Sequence, residues 1–139
     1  MKKLVLVLVC CFMLFGCLST NVSKNEVVTT PWTAELKLQG SESCYNIALM
    51  FCSETSTEII SKDETLQYIK GVYWDYAFSL FYPGAITFNI RVKDNKLIFT
   101  CERYGTGTLN MKPTKKDYEK LEQVAKSYQV RMFQYINNF

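Results

Sequence analysis

Cysteine thiols and carboxylates are the side chains here with the most chemistry to offer, and each set lacks what that chemistry needs. Cys44, Cys52 and Cys101 could act as nucleophiles or redox centres, but no histidine stands anywhere in the 139 residues to serve as base. Their types favour buried structural thiols, or a single bridge from Cys101 to Cys44 or Cys52. A bridge between Cys44 and Cys52 is excluded if that segment is extended, since its ends would stand about 26 Å apart. Glu54, Glu58, Asp63 and Glu64 could in principle supply the two carboxylates of a glycoside hydrolase, yet these are ordinary residues for solvated turns and a helix start. Without histidine or a close cysteine pair beyond Cys10-Cys11, no zinc spacing exists, so no metal is expected. Gly105-Thr106-Gly107-Thr108 has the composition of a phosphate cradle. Such a loop must open a helix, whereas here a short apolar stretch and Pro113 follow, as after a hairpin turn. No catalytic residue and no cofactor is therefore expected.

Binding is better supported than catalysis. Ser61-Lys62-Asp63-Glu64 has the form of a capping box, and the residues after it, to about 81, place Leu66, Ile69, Tyr73, Tyr76, Ala77 and Leu80 on one helical stripe, with Pro83-Gly84 as the stop. On that helix Trp74, Phe78 and Phe81, with Tyr82 at the edge, form a second apolar strip about 100° round from the first. So broad an apolar arc must be covered on more than one side. Either another element of the chain covers it, or it is an exposed aromatic surface for a protein partner or an apolar ligand.

The elements that would position these residues follow from periodicity. Trp32, Ala34, Leu36 and Leu38 alternate with polar residues, as in a strand with one face buried. Gly40-Ser41-Glu42-Ser43 marks a turn. Residues 45–53 are apolar on both faces and are expected as an interior strand, with a short helix through Cys44, Ala48 and Cys52 as the alternative. Asp94-Asn95 suits a two-residue hairpin turn. Pairing outward from it sets Val92 beside Leu97, Ile90 beside Phe99 and Phe88 beside Cys101 on one apolar face. Lys93, Arg91, Asn89 and Thr87 then lie opposite Lys96, Ile98, Thr100 and Glu102 on the other. Gly105-Thr106-Gly107 would turn into a further strand carrying Leu109 and Met111. Thr114, with Asp117 three residues on, opens a last helix. Its core stripe is Tyr118, Leu121, Ala125, Tyr128, Met132, Tyr135, Ile136 and Phe139, and Glu122 can pair with Lys126. The expected fold is α+β: an antiparallel sheet of about five strands with two helices, in the order β-β-α-β-β-β-α. The helices cover one sheet face and leave the face of Arg91 and Lys93 wet.

The chain starts with Lys2-Lys3, an apolar run from Leu4 to Phe15, and Gly16-Cys17. This is the composition of a secretory signal peptide, and the run is too short for a comfortable transmembrane helix of about 20 residues. Leu14-Phe15-Gly16-Cys17 resembles the lipobox of bacterial lipoproteins: Leu14 in its first position, Gly16 before the cut, and Cys17 as lipid acceptor. Phe15 departs from the pattern, which usually has a smaller residue there. The resemblance covers only the leader. It implies a signal peptide over 1–16, acylation (palmitate or a similar chain) at Cys17, and a membrane partner reached through the lipid. Residues 17–31, polar and aperiodic, read as the lipidated end and tether of a single domain over 32–139. Leu18 after the cysteine, with no Asp, resembles lipoproteins sorted to an outer rather than an inner membrane. Ordinary cleavage just after Cys17-Leu18-Ser19 and an uncleaved anchor are the competing readings.

Charge narrows the partners. Of 16 basic and 13 acidic residues, Lys2 and Lys3 leave with the leader. The mature chain is thus close to neutral, with no basic block to track a phosphate backbone; nucleic acid is not an expected partner. Nine Tyr and nine Phe suit strands and contact surfaces. The reading that results is a non-enzymatic, lipid-anchored bacterial cell-envelope protein that binds another envelope protein as an assembly or accessory module, through the Trp74 and Phe78 strip or a sheet edge. The alternatives are a carrier or sensor of a small apolar ligand held between helix and sheet, and a carboxylate-dependent cell-wall hydrolase.

Overall fold

The computed structural model describes residues 31–39, 44–80, 82–106 and 114–139. The leader, Cys17, most of the tether, the turn at 40–43, Phe81, and the stretch with Leu109 and Met111 lie outside them. Seven elements follow in order: β1 (Trp32–Lys37), α1 (Cys44–Glu54), β2 (Thr57–Asp63), β3 (Tyr68–Asp75), β4 (Gly84–Lys93), β5 (Lys96–Thr106) and α2 (Lys115–Asn137). The strands form one antiparallel sheet in the spatial order β1-β5-β4-β3-β2. Four consecutive strands make a meander, and β1 closes its β5 edge. The expected α+β class, five strands and two helices hold. Two segments supply different elements from those expected.

Residues 45–53 are helical rather than extended. Cys44, Ile47, Ala48 and Phe51 recur at helical spacing and are buried, with Tyr45 and Cys52 beside them, while Asn46 and Met50 face water. The alternative helix through Cys44, Ala48 and Cys52 is the one that forms. Conversely, where a helix was expected to run from Ser61 to about Phe81, the chain instead forms the end of β2 and all of β3, paired as a hairpin. Tyr68, Ile69, Val72, Tyr73 and Trp74 are β-branched or aromatic, a composition that favours strands. The would-be capping box is a turn: Asp63 Oδ1 accepts from the Leu66 amide at 2.9 Å, and Gln67 adopts a φ of 47° to close it. Leu66, Tyr76 and Leu80, assigned to the helical core stripe, are exposed. Gly71, a weak point in a helix, is where β3 packs closest: a Cβ there would meet Phe88 Cζ at 3.0 Å.

The β4–β5 hairpin forms as expected around Asp94 and Asn95, both at positive φ, with Val92 opposite Leu97, Ile90 opposite Phe99 and Phe88 opposite Cys101. A bulge then shifts the register, so that Thr87 faces Arg103 and not Glu102. Gly105 and Thr106 do not turn. They extend β5 opposite Ala85 and Gly84, and Gly84 begins β4 where a helix stop was expected.

Both helices lie on the face that carries Phe88, Ile90, Leu97 and Phe99. On α2 the Thr114 side chain accepts from the Asp117 amide while the Asp117 side chain accepts from the Thr114 amide, a complete capping box. The helix buries Leu121, Ala125, Tyr128, Met132 and Ile136, of which Leu121, Met132 and Ile136 each contribute about 1.5–3 kcal/mol by removal of apolar surface from water. Phe139, expected on that stripe, is exposed. Glu122 and Lys126 pair at 2.6 Å, as the spacing predicts. Tyr128 is the centre of the core. Its ring stacks on Tyr73 at 4.4 Å and meets Phe88 at 5.2 Å and Phe51 at 5.3 Å. Its hydroxyl lies 2.8 Å from Thr57 Oγ1, which ties α2 to the first residue of β2.

Candidate functional site

The sheet face opposite the helices is the candidate site, and the strand register writes it out in rows. Lys37, Lys96 and Lys93 stand side by side at the hairpin end. Glu35, Ile98, Arg91 and Tyr68 form the next row, and Thr33, Thr100, Asn89 and Lys70 the one after. Strand geometry alone puts these side chains on one surface, because residues two apart share a face.

The third row is locked by hydrogen bonds. The Tyr68 hydroxyl donates to Asn89 Oδ1 at 2.7 Å, Asn89 Nδ2 donates to Glu102 Oε1, and Lys70 Nζ donates to Glu102 Oε2 at 2.8 Å. Partial burial works against ionisation of Glu102, but the bonds from Lys70 and Asn89 and the Lys70 charge outweigh it, holding the carboxyl below its usual range. The group is therefore a carboxylate at neutral pH, with its oxygens already engaged by the protein. That is the chemistry of a fixed surface feature, not of a general acid. Between the second and third rows Tyr68, Asn89, Arg91, Ile98 and Thr100 line a depression of about 220 Å³. The Arg91 guanidinium lies 6.0 Å from the Tyr68 ring centroid, within cation–π reach.

Among the described residues, the aromatic strip expected on a helix is not one surface. Trp74 lies on β3 within the open face, opposite Ala85, with its Nε1 donating to Glu58 at 3.4 Å. Phe78 follows β3 and is buried; its ring is 6.0 Å from Tyr82 and 4.5 Å from Lys120 Nζ of α2. Tyr82 is half-buried against the core, and Phe81 lies outside the described residues. Once the segment is a strand and turn rather than a helix, the spacing of four between Trp74 and Phe78 no longer places them on one surface, although Phe78 still meets Tyr82.

Cys101 is a buried thiol, which is the first of the two alternatives for it, and the possible bridge to Cys44 or Cys52 is not formed; Cys52 is likewise a buried thiol and Cys44 is buried. Burial pushes Cys52 up to about 11 and Cys101 up to about 12, so neither is a thiolate near neutral pH. Of the carboxylates considered for hydrolysis, Glu54 accepts from the Tyr135 hydroxyl at 2.9 Å, Glu58 accepts from Trp74, and Asp63 shapes a turn. Each has a structural contact. Among the described residues no group of three or more cysteine, aspartate or glutamate side chains could hold a metal ion.

Sequence reasoning placed Arg91, Asn89, Ile98 and Thr100 on the wet face but drew no site there. It missed Tyr68 and Lys70, because β3 was read as helical. The alternation of Tyr68, Lys70, Val72 and Trp74 with Ile69, Gly71 and Tyr73 is the signal that could have found them.

No family model matches the chain, and no curated protein matches its sequence. Solved structures do. A TBP-like protein from Parabacteroides distasonis superposes with a TM-score of 0.56 at 7% identity, over 86% of this chain and 98% of that one. Ara h 8.0201 superposes with a TM-score of 0.50 at 7% identity, over 79% and 99%. The chain shares their fold. A DUF4468 family protein from Bacteroides ovatus is also similar, at 16% identity and a TM-score of 0.47 over 72% of this chain and 66% of that one. At such identities the likeness extends to the fold and not to function.

Proposed function

We propose that this protein is a non-enzymatic binding module of the bacterial cell envelope that docks an envelope protein on the open face of its sheet, held at the membrane by a lipid on Cys17. One observation carries the reading: both helices cover one sheet face, while the other presents Tyr68, Ile98 and Arg91 around a depression beside a hydrogen-bonded network that pre-organises it. Tyr and Arg are enriched where binding energy concentrates, and side chains already fixed lose little freedom on docking. A carrier of a small apolar ligand would need room between helix and sheet. There Tyr128, Phe88, Phe99 and Met132 are almost wholly buried and the rings touch, so the docking reading is preferred.

The membrane part of the reading rests on the leader. Among the described residues no helix is long and apolar enough to cross a bilayer, and the attachment proposed is acyl chains on Cys17, two or more of which hold a protein stably where one is marginal. The sorting preference after Cys17 is for an outer membrane.

The test is a pair of substitutions. Tyr68→Glu with Ile98→Glu should abolish co-purification of a defined partner from crosslinked envelopes while leaving the thermal midpoint within a few degrees of the parent. Cys17→Ala should remove incorporation of a palmitate analogue and release the chain from the membrane. Undiminished co-purification from a folded Tyr68→Glu, Ile98→Glu chain would defeat the docking face; an unlabelled parent chain would defeat the anchor.

A further inference from the structure

The row Lys37-Lys96-Lys93 is unfavourable by itself. Directly opposed side chains in an antiparallel pair stand about 5 Å apart at Cβ, and like charges there repel. The sheet relieves only part of this. Glu35 pairs with Lys96 at 2.9 Å, and Asp94 is 4.0 Å from Lys93. Lys37 and Arg91 have no acidic partner among the described residues, and both are exposed. A second depression, of about 370 Å³, opens at this end between Lys37, Gln39, Asp94 and Lys96, so cations border hollows on both sides of the row. Such an excess of one sign on a face otherwise built for contact calls for a partner of the opposite sign.

We infer that the occupant of the open face is an acidic segment of the partner protein, whose carboxylates meet Lys37, Lys93 and Arg91 while an apolar side chain enters the depression floored by Ile98 beside Tyr68. This deepens the proposed docking function and rests on it. An anionic bilayer is the less favoured occupant. Lipid surfaces attract clusters of about four to eight basic residues, whereas here two of the four cations already have an acidic neighbour, Lys96 in Glu35 and Lys93 in Asp94. The Tyr68, Asn89 and Thr100 side of the face offers shape and hydrogen bonds, which a side chain uses and a fluid headgroup layer does not.

The test uses the full chain in detergent micelles and a dye-labelled extended peptide alternating glutamate with valine. The peptide should bind saturably and weaken with added salt. Lys93→Glu and Arg91→Glu should each reduce affinity about three- to tenfold, and the double variant should prefer the matching lysine peptide. Lys116→Glu, on α2, should leave binding unchanged. Equal loss from Lys116→Glu, or no loss from the reversals, would overturn the inference. So would phosphatidylglycerol vesicles that bind in a reversal-sensitive way while the peptide does not. Inside cells a photocrosslinker at Ile98 separates the two levels. Capture of a protein partner regardless of the Arg91 and Lys93 reversals overturns the acidic segment and keeps the docking face, whereas no capture at all removes the face as well.

Discussion

The Tyr68 hydroxyl donates to Asn89 Oδ1 at 2.7 Å across the β3–β4 pair, and Asn89 passes the connection on to Glu102 of β5. Three strands are thus stitched on the side the helices leave open. Asn89→Leu removes both an acceptor and a donor and leaves Glu102 with Lys70 alone. It should lower stability by about 1 kcal/mol, read as a lower urea midpoint, and should loosen partner binding more than that change in stability explains.

Tyr128 joins the buried aromatic cluster to the β2 start. Tyr128→Phe keeps the ring and removes one of the two partners of the Thr57 hydroxyl, which retains Thr55 at 2.8 Å; the expected loss is about 1 kcal/mol. Tyr128→Ala empties the core centre and should cost about 3–5 kcal/mol. Denaturant titration of both variants distinguishes the hydroxyl from the ring.

Cys52 and Cys101 should be inert to a thiol reagent at pH 8 in the native chain and reactive once it is unfolded. Burial raises both above the ordinary value of 9.0, to about 11 and about 12. In the unfolded chain the thiols ionise first, so folding stability is full below about pH 9 and declines as pH rises from there toward 11 and 12. A Cys52→Ala, Cys101→Ala chain should show a shallower alkaline decline in thermal midpoint, though a lower midpoint overall.

The capping box of α2 adds an acid-side dependence. Hydrogen bonds from the Thr114 amide and hydroxyl hold Asp117 below the usual carboxylate range. Its contribution is therefore present above the unfolded value and lost as pH falls through the folded one. Asp117→Asn should flatten that acid limb. Thr114→Ala should cost about 1 kcal/mol at neutral pH, measured by thermal or urea unfolding.

What was readable in the chain depended on whether local signals and burial agreed. Asp94-Asn95 accepts the left-handed backbone, and its flanks alternate cleanly, so the hairpin, its register and its wet face follow from the residues. The Thr114 and Asp117 cap and the long stripe of α2 are equally explicit. Residues 61–81 mislead because Ser61 to Glu64 imitates a helix start and Leu66, Ile69 and Tyr73 happen to fall at helical spacing. Strand pairing with β4 outweighs that local signal, with Gly71 under the Phe88 ring. Residues 45–53 are apolar on both sides, and periodicity alone cannot separate a short buried helix from a strand there. The open-face site was half visible for the same reason: β4 and β5 contributed their residues, and β3 did not. The bulge after Thr87 leaves no mark in residue type.

The sheet face bearing Ile98 is the proposed seat of the partner. A photocrosslinking residue at Ile98, compared in intact cells with one at Gln123 on the outer side of α2, tests it directly. One discrete crosslinked protein is expected from position 98, diminished by Tyr68→Glu, and none from position 123. Equal capture from both positions, or capture from 123 alone, would contradict it.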